Sequence, residues 1–357
     1  MRRFAGLLLS LFPALGCATL ADAATGDKDL PNAGAGPFRE LKKGELGLSL
    51  VTPNAADDTK TLSRDASVID LDGDLTTFAV AGYFAASPNG AEVGEPTVEI
   101  RRTVAEDGRS FDRDRDVVLT AGEAWEQGLL GGPSALWVGG EVWLYYAAGG
   151  GIGLAKSADG AAFTKVAGPV LGASESGWDT GSIPRSPSVV MLPKGGFLMF
   201  YETLNGEGRS VIGEATSSDG LVWERVGDGP AIAPSEAGEE VFDDLGVGGP
   251  AVTLGETALG RRVVRVYYGA RTQGSEGEEK RTIGLAARFD GEPFSKATSA
   301  VFGATSSRGP SEPAVISFGE FTLIFATQNR SNTDESPAVA AGVAPAQAEL
   351  PEPTQSE

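Results

Sequence analysis

The sequence predicts an all-β fold, a five-bladed β-propeller of four-stranded antiparallel blades. Three observations carry this. A small-residue motif recurs five times, as Asp65-Ala66-Ser67-Val68, Gly132-Pro133-Ser134-Ala135, Ser186-Pro187-Ser188-Val189, Gly249-Pro250-Ala251-Val252 and Glu312-Pro313-Ala314-Val315, at spacings of 67, 54, 63 and 63 residues. Each copy is followed by short apolar runs separated by turn residues, the pattern of an antiparallel meander. The chain of 357 residues holds 50 Gly and 21 Pro and shows no sustained helical period beyond its N-terminus. Self-similarity at this period with strand meanders marks a propeller.

Each blade can be read in order. The motif opens the first strand, where a proline is tolerated because its missing N–H falls outside the ladder. Second strands are expected at residues 75–84, 142–148, 197–204, 263–271 and 321–328. Third strands are expected at 97–103, 152–157, 211–217, 282–287 and 338–346. An Asp-Gly turn then leads to an aromatic residue three positions on: Asp107-Gly108 to Phe111, Asp159-Gly160 to Phe163, Asp219-Gly220 to Trp223 and Asp290-Gly291 to Phe294. Asp-Gly is a strong hairpin signal because glycine accepts positive φ. The aromatic is expected to pack between blades. The fifth unit lacks this step, so its outer strand is expected from the N-terminal side, at Leu46–Val51, closing the ring and removing an open edge.

The N-terminus reads as an export signal. Arg2 and Arg3 precede an apolar run from Phe4 to Leu15, too short to span a bilayer. Two ends to it stay open. Ala14-Leu15-Gly16-Cys17 resembles a bacterial lipobox and would make Cys17 the lipidated first residue; Ala21-Asp22-Ala23 fits an ordinary signal peptidase. The expected organisation is a signal peptide over 1–16, a flexible tether over 17–40, the propeller over 41–346 and a disordered tail over 347–357. The protein is expected in the cell envelope, lipid-anchored, or else secreted or periplasmic, and as a monomer.

Composition excludes several functions. The net charge is −20, against the clustered Lys and Arg that nucleic acid requires. There is no histidine, which removes Ser-His-Asp and Cys-His catalysis and imidazole metal sites. Cys17 is the sole cysteine, so no internal disulfide exists. No cofactor is expected. Asp70, Asp72 and Asp74 alternate around Gly73 like part of a calcium loop, but the downstream acidic ligand is missing and a solvated hairpin turn accounts for them. A structural calcium ion is the one metal to weigh.

The blades Ile152–Gly160 and Ile212–Gly220, with Trp178-Asp179-x-Gly181 leading into Pro187-Ser188-Val189, resemble the five-bladed propellers of the arabinanase, β-xylosidase and invertase type of glycoside hydrolases. The likeness spans roughly residues 60–330. It implies a carbohydrate ligand and acidic residues around the axis: one carboxylate opening the first strand of blade one, another that of blade three, and a glutamate acid from blade four. Asp65 stands in the first position. Ser186 and Gly249 stand in the other two.

Antiparallel geometry returns the end of each second strand to the rim where the first strand starts. Asp65, Arg185, Ser186, Glu202, Arg271, Glu312 and Gln328 should therefore gather there. Hydrolysis of a glycoside needs two carboxyl groups, and Asp65, Glu202 and Glu312 are the candidate catalytic residues; blades one and five adjoin in a closed ring, so Asp65 and Glu312 are expected to face each other. The competing reading makes Asp65 a turn cap and Glu312 an arginine partner. The loops Trp125-Glu126, Trp178-Asp179 and Phe242-Asp243 suit sugar stacking by their aromatics and hydroxyl binding by their acids. Their recurrence equally suits a role in packing between blades.

Overall fold

The computed structural model describes residues 33–40, 63–71, 79–88, 95–105, 116–238, 241–257, 259–306, 309–318, 321–329 and 337–345. It contains five antiparallel sheets and, among the described residues, no α-helix. Blade one holds Ser63–Asp70, Val80–Ala86, Glu99–Ala105 and Asp116–Thr120. Blade two holds Gly131–Val138, Glu141–Ala148 and Gly151–Ser157, with Thr164–Lys165 and Leu171–Gly172 both paired to the third strand. Blade three holds Arg185–Met191, Phe197–Leu204, Ser210–Ser217 and Glu224–Arg225. Blade four holds Gly246–Glu256, Arg262–Gln273, Glu279–Phe289, Ser295–Lys296 and Phe302–Ser306. The first strands contact one another in sequence, and that of blade five contacts that of blade one, so the ring is closed.

Blade five holds Ser311–Phe318, Phe321–Asn329 and Pro337–Pro345, and its outer strand comes from the N-terminal side. The closing strand is Arg39–Glu40, paired with Val343 and Gly342. The expected segment Leu46–Val51 lies outside the described residues. The strap before it is built in by side-chain pairing. Gly34 N–H donates to Thr322 Oγ1 at 2.8 Å, Phe38 N–H donates to Val301 O at 2.6 Å, and the Phe38 ring meets Tyr267 and Phe302 edge-on. Arg265 donates to Ala33 O and the Tyr267 hydroxyl to Gly34 O. Residues 33–40 therefore belong to the propeller rather than to a tether. Cys17, Asp72, Asp74, Asp107-Gly108 and Phe111 fall outside the described residues.

The second strands are apolar almost without interruption because a neighbouring blade covers each face. Every residue of Val80–Ala86 is buried, as are Phe197 to Tyr201. The Asp-Gly aromatics pack as the repeat suggests: Phe163 against Tyr83 of blade one, Trp223 against Tyr145 of blade two, Phe294 against Phe200 of blade three, all edge-on at 5.6–5.8 Å. The same turns carry hydrogen bonds between blades. Tyr83 donates to Gly160 O at 2.8 Å and Tyr145 to Gly220 O at 2.9 Å. The motif serine is a further rung: Ser67, Ser134 and Ser188 accept from the backbone of Ala135, Val189 and Val252 in the next blade. These bonds satisfy first-strand N–H groups that the blade itself leaves unpaired on its inner edge.

Candidate functional site

The first strands open on an irregularity. In every blade the register slips just after the strand begins. The residue at the slip takes the left-handed conformation: Asp65 at φ 54°, Gly132 at 46°, Ser186 at 46°, Gly249 at 52° and Glu312 at 51°. These five residues, with the Ala66 or proline that follows each, line a constriction on the propeller axis. The ring is tight. A Cβ on Gly132 would sit 2.7 Å from Ser186 Cα, and one on Gly249 would sit 2.9 Å from Glu312 Cα. Glycine is the residue this backbone favours. Two blades supply it, and three place a polar side chain there instead.

Asp65 and Glu312 meet at the seam between blades one and five. Asp65 Oδ2 accepts from Gly132 N–H at 3.2 Å, and Asp65 N–H donates to Thr327 Oγ1 at 2.9 Å. Asp65 Oδ1 is buried with no fixed donor. Burial, the Asp65 charge and a hydrogen bond to the Asp65 side chain hold the Glu312 carboxyl well above its usual range, with the Arg64 charge opposing. The pair thus keeps a proton that one exposed carboxyl would release.

Glu202 lies at the same rim but is engaged throughout. It pairs with Arg185 Nη2 at 2.7 Å, accepts from Ser210 Oγ at 2.5 Å and accepts from Gly249 N–H at 3.0 Å. Its register position, opposite Arg185, matches that of Thr327 opposite Ser311. Both side chains do one job: they accept the N–H of the left-handed residue opening the next blade. Gly248 is a glycine because the Glu202 carboxyl occupies the space a Cβ would need. Gln328, the residue expected at this rim, stands one place further on, paired with Ala338, and it is Thr327 that touches the ring. The period-two equivalence of Thr327 with Glu202 was the available signal.

The three aromatic–acid loops have a different use from the one a sugar site would give their acids. Glu126, Asp179 and Asp243 are 0%, 2% and 1% exposed. Each faces a second-strand tyrosine and a fourth-strand cation. Glu126 accepts from Tyr146 at 2.9 Å and pairs with Lys165 at 2.6 Å; Asp179 pairs with Tyr201 at 3.4 Å and Arg225 at 3.0 Å; Asp243 pairs with Tyr268 at 3.1 Å and Lys296 at 2.6 Å. Burial raises the Glu126 carboxyl, but Lys165 and the Gly122 and Glu123 N–H groups outweigh it and leave it below its usual range. Burial also pushes the three tyrosine hydroxyls up. Each tyrosine ring lies across a third-strand glycine, Gly153, Gly213 or Gly284, where no Cβ fits. Asp179 and Asp243 are therefore internal fasteners and not free to bind ligand.

The aromatics of these loops divide. All three are half-buried: Trp125 stacks on Tyr146 at 6.0 Å and Phe242 packs into the core between blades three and four, while Trp178 stands on the rim loop ahead of Arg185. Ile183, on the same loop, and Leu204 are exposed, and Ser182 Oγ donates to Leu204 O at 3.0 Å. Arg271 covers Gly246 and makes a loose 3.6 Å pair with Glu279. Glu214 is taken up by Arg288 of blade four at 2.6 Å. Among the described residues no group of three acidic, His or Cys side chains forms a metal site.

No family model and no curated protein matches the chain. Solved structures do match in fold. A glycoside hydrolase superposes with a TM-score of 0.62 at 15% identity, covering 91% of this chain and 96% of that one. A structure reported for the GH130 family, described as mannoside phosphorylases that include hydrolases of β-1,2-mannosidic linkages, gives 0.63 at 15% identity, covering 87% and 95%. An exo-1,5-α-L-arabinanase from a bovine ruminal metagenomic library gives 0.54 at 11% identity, covering 82% and 94%. At these identities the likeness establishes the fold: this chain has the five-bladed propeller architecture found in these glycoside hydrolases.

Proposed function

We propose that this protein is a glycan-binding propeller whose ligand sits on the axial ring, at the rim carrying Asp65, Ser186 and Glu312. One observation carries the reading. A backbone that favours glycine at all five ring positions holds three polar side chains instead, at a cost of about 1 kcal/mol or more each, and such strain is characteristic of functional sites. The fold shared with carbohydrate-active enzymes supports a sugar as the ligand, and half-exposed Trp178 on the same rim offers an aromatic face of the kind sugars stack upon.

Hydrolysis is the second reading, and the proton held by Glu312 favours it, since a general acid must be protonated at working pH. Two features weigh against the usual two-carboxylate route. That route separates its carboxyl groups by about 5 Å or more, whereas Asp65 and Glu312 adjoin on one narrow constriction. The third candidate, Glu202, is fully committed to Arg185, Ser210 and Gly249.

A glycan array followed by calorimetry on wild type, Glu312→Gln and Ser186→Gly tests the proposal. Binding to at least one glycan, weakened tenfold or more by either substitution, is expected, together with no turnover of aryl-glycosides. Absence of binding to every glycan sinks it; turnover lost in Asp65→Asn replaces it with hydrolysis. The charged, apolar N-terminal run ending near Cys17 supports export and lipid anchoring at the cell envelope, with the propeller acting as a monomer.

A further inference from the structure

The rim is unlike the rest of this acidic molecule. Arg64 and Arg185 hold the same position in blades one and three, immediately before the ring residue, where blades two, four and five have Gly131, Gly248 and Ser311. Elsewhere arginines are spent on neighbouring carboxylates, as in Arg209 with Glu207, Arg225 with Asp179 and Arg288 with Glu214. The two at the ring are spent less completely. Arg64 Nε is buried without a hydrogen-bond partner. Arg185 is half exposed and gives only Nη2 to Glu202, leaving Nε and Nη1 unengaged. Glu202 is itself pinned by Ser210 and Gly249, so it holds the guanidinium in place.

We infer that the ligand of this rim is an acidic saccharide, one carrying a uronic acid carboxylate, received by Arg185 with Arg64 as the second positive group. The inference rests on the glycan reading above and names the class of sugar. A half-exposed guanidinium that keeps N–H donors without acceptors can give a carboxylate a charge-assisted hydrogen bond. A protein of net charge −20 repels an anion over most of its surface, so two arginines that flank the strained polar ring and keep N–H groups without acceptors mark where an anion is admitted. The raised pKa of the Glu312 carboxyl adds to this, since a second charged carboxylate beside Asp65 would oppose an anionic ligand.

The test compares uronate-bearing oligosaccharides with their own methyl esters, by calorimetry on the intact protein. The free acid should bind at least tenfold more tightly than the ester, with a preference that shrinks as salt is raised. The double variant Arg185→Gln/Glu202→Gln removes the pair without stranding a lone charge, and it should bring the acid-to-ester ratio close to one. Arg64→Gln should lower it partly. Equal binding of acid and ester overturns the acidic-sugar inference and leaves the glycan reading standing. A preference unchanged in both variants overturns the assignment to these arginines. Binding of neither form, nor of any neutral glycan, overturns the glycan reading itself.

Discussion

The Glu312 carboxyl lies against that of Asp65 across the seam joining the last blade to the first, and burial there keeps Glu312 protonated above its ordinary range. A group with a raised folded-state pKa contributes stability that is complete below its unfolded value, here 4.5, and is lost as pH rises through the folded value. Wild type should therefore lose melting temperature more steeply than Glu312→Gln, in which the neutral form is permanent, as pH rises above 4.5. Parallel melting curves for the two proteins across that range would refute the shared proton.

Ser186 is held at φ 46° with no fold requirement for its hydroxyl. Ser186→Gly relieves left-handed strain of about 1–2 kcal/mol and adds unfolded-chain entropy worth somewhat less. The variant should be as stable as wild type or more so by up to about 1 kcal/mol, while glycan affinity drops. A variant that is both less stable and equally good at binding would show that the serine serves the fold.

Glu202 is expected to behave as a structural acceptor. Glu202→Ala leaves the Gly249 N–H and the Arg185 guanidinium without their partner, which should cost about 1–3 kcal/mol in urea unfolding. Glu202→Thr, copying Thr327, should recover part of the loss by again accepting from Gly249. Equal stability of Glu202→Ala and wild type would return Glu202 to the list of chemical residues.

The buried fasteners should dominate stability. Asp179→Ala strands Arg225, and removal of one partner of a buried pair costs about 3 kcal/mol or more. The urea midpoint should fall at unchanged m-value. Loss of glycan binding in the folded variant, without loss of stability, would instead place Asp179 in the ligand site.

Gly213 lies under the Tyr201 ring. Gly213→Ala must displace the tyrosine from Asp179 and should cost about 1–3 kcal/mol, an effect that Tyr201→Phe, which keeps the ring, should not share in full. An undiminished melting temperature in Gly213→Ala would mean that the blade has slack the packing does not reveal.

The repeat made the architecture legible, because every blade must solve the same packing problem and so reuses the same residues: the slip before the proline, the Asp-Gly turn, the aromatic beyond it. Ring closure likewise brought Asp65 and Glu312 to neighbouring blades before any coordinates. What the sequence hid was direction. Trp178-Asp179 reads equally as a ligand loop or a fastener, and only Tyr201 and Arg225, supplied from 22 and 46 residues away, decide that Asp179 turns inward. Gln328 and Thr327 differ by one residue and hence by opposite faces of a strand. The strap was invisible because two paired residues, Arg39–Glu40, are too short to leave a strand pattern.

That strap also fixes which way the molecule presents itself. Ala33 lies in the axial channel beside Asp70, Trp137 and Leu254, where the first strands finish, and Pro345 ends opposite Phe321 on that same side. The described polypeptide thus begins and ends on the face remote from Asp65, Ser186 and Glu312. A surface coupled at Ala33 or Pro345 would therefore stand beneath the propeller like a stalk under an upturned bowl, leaving the Asp65 side open to the medium.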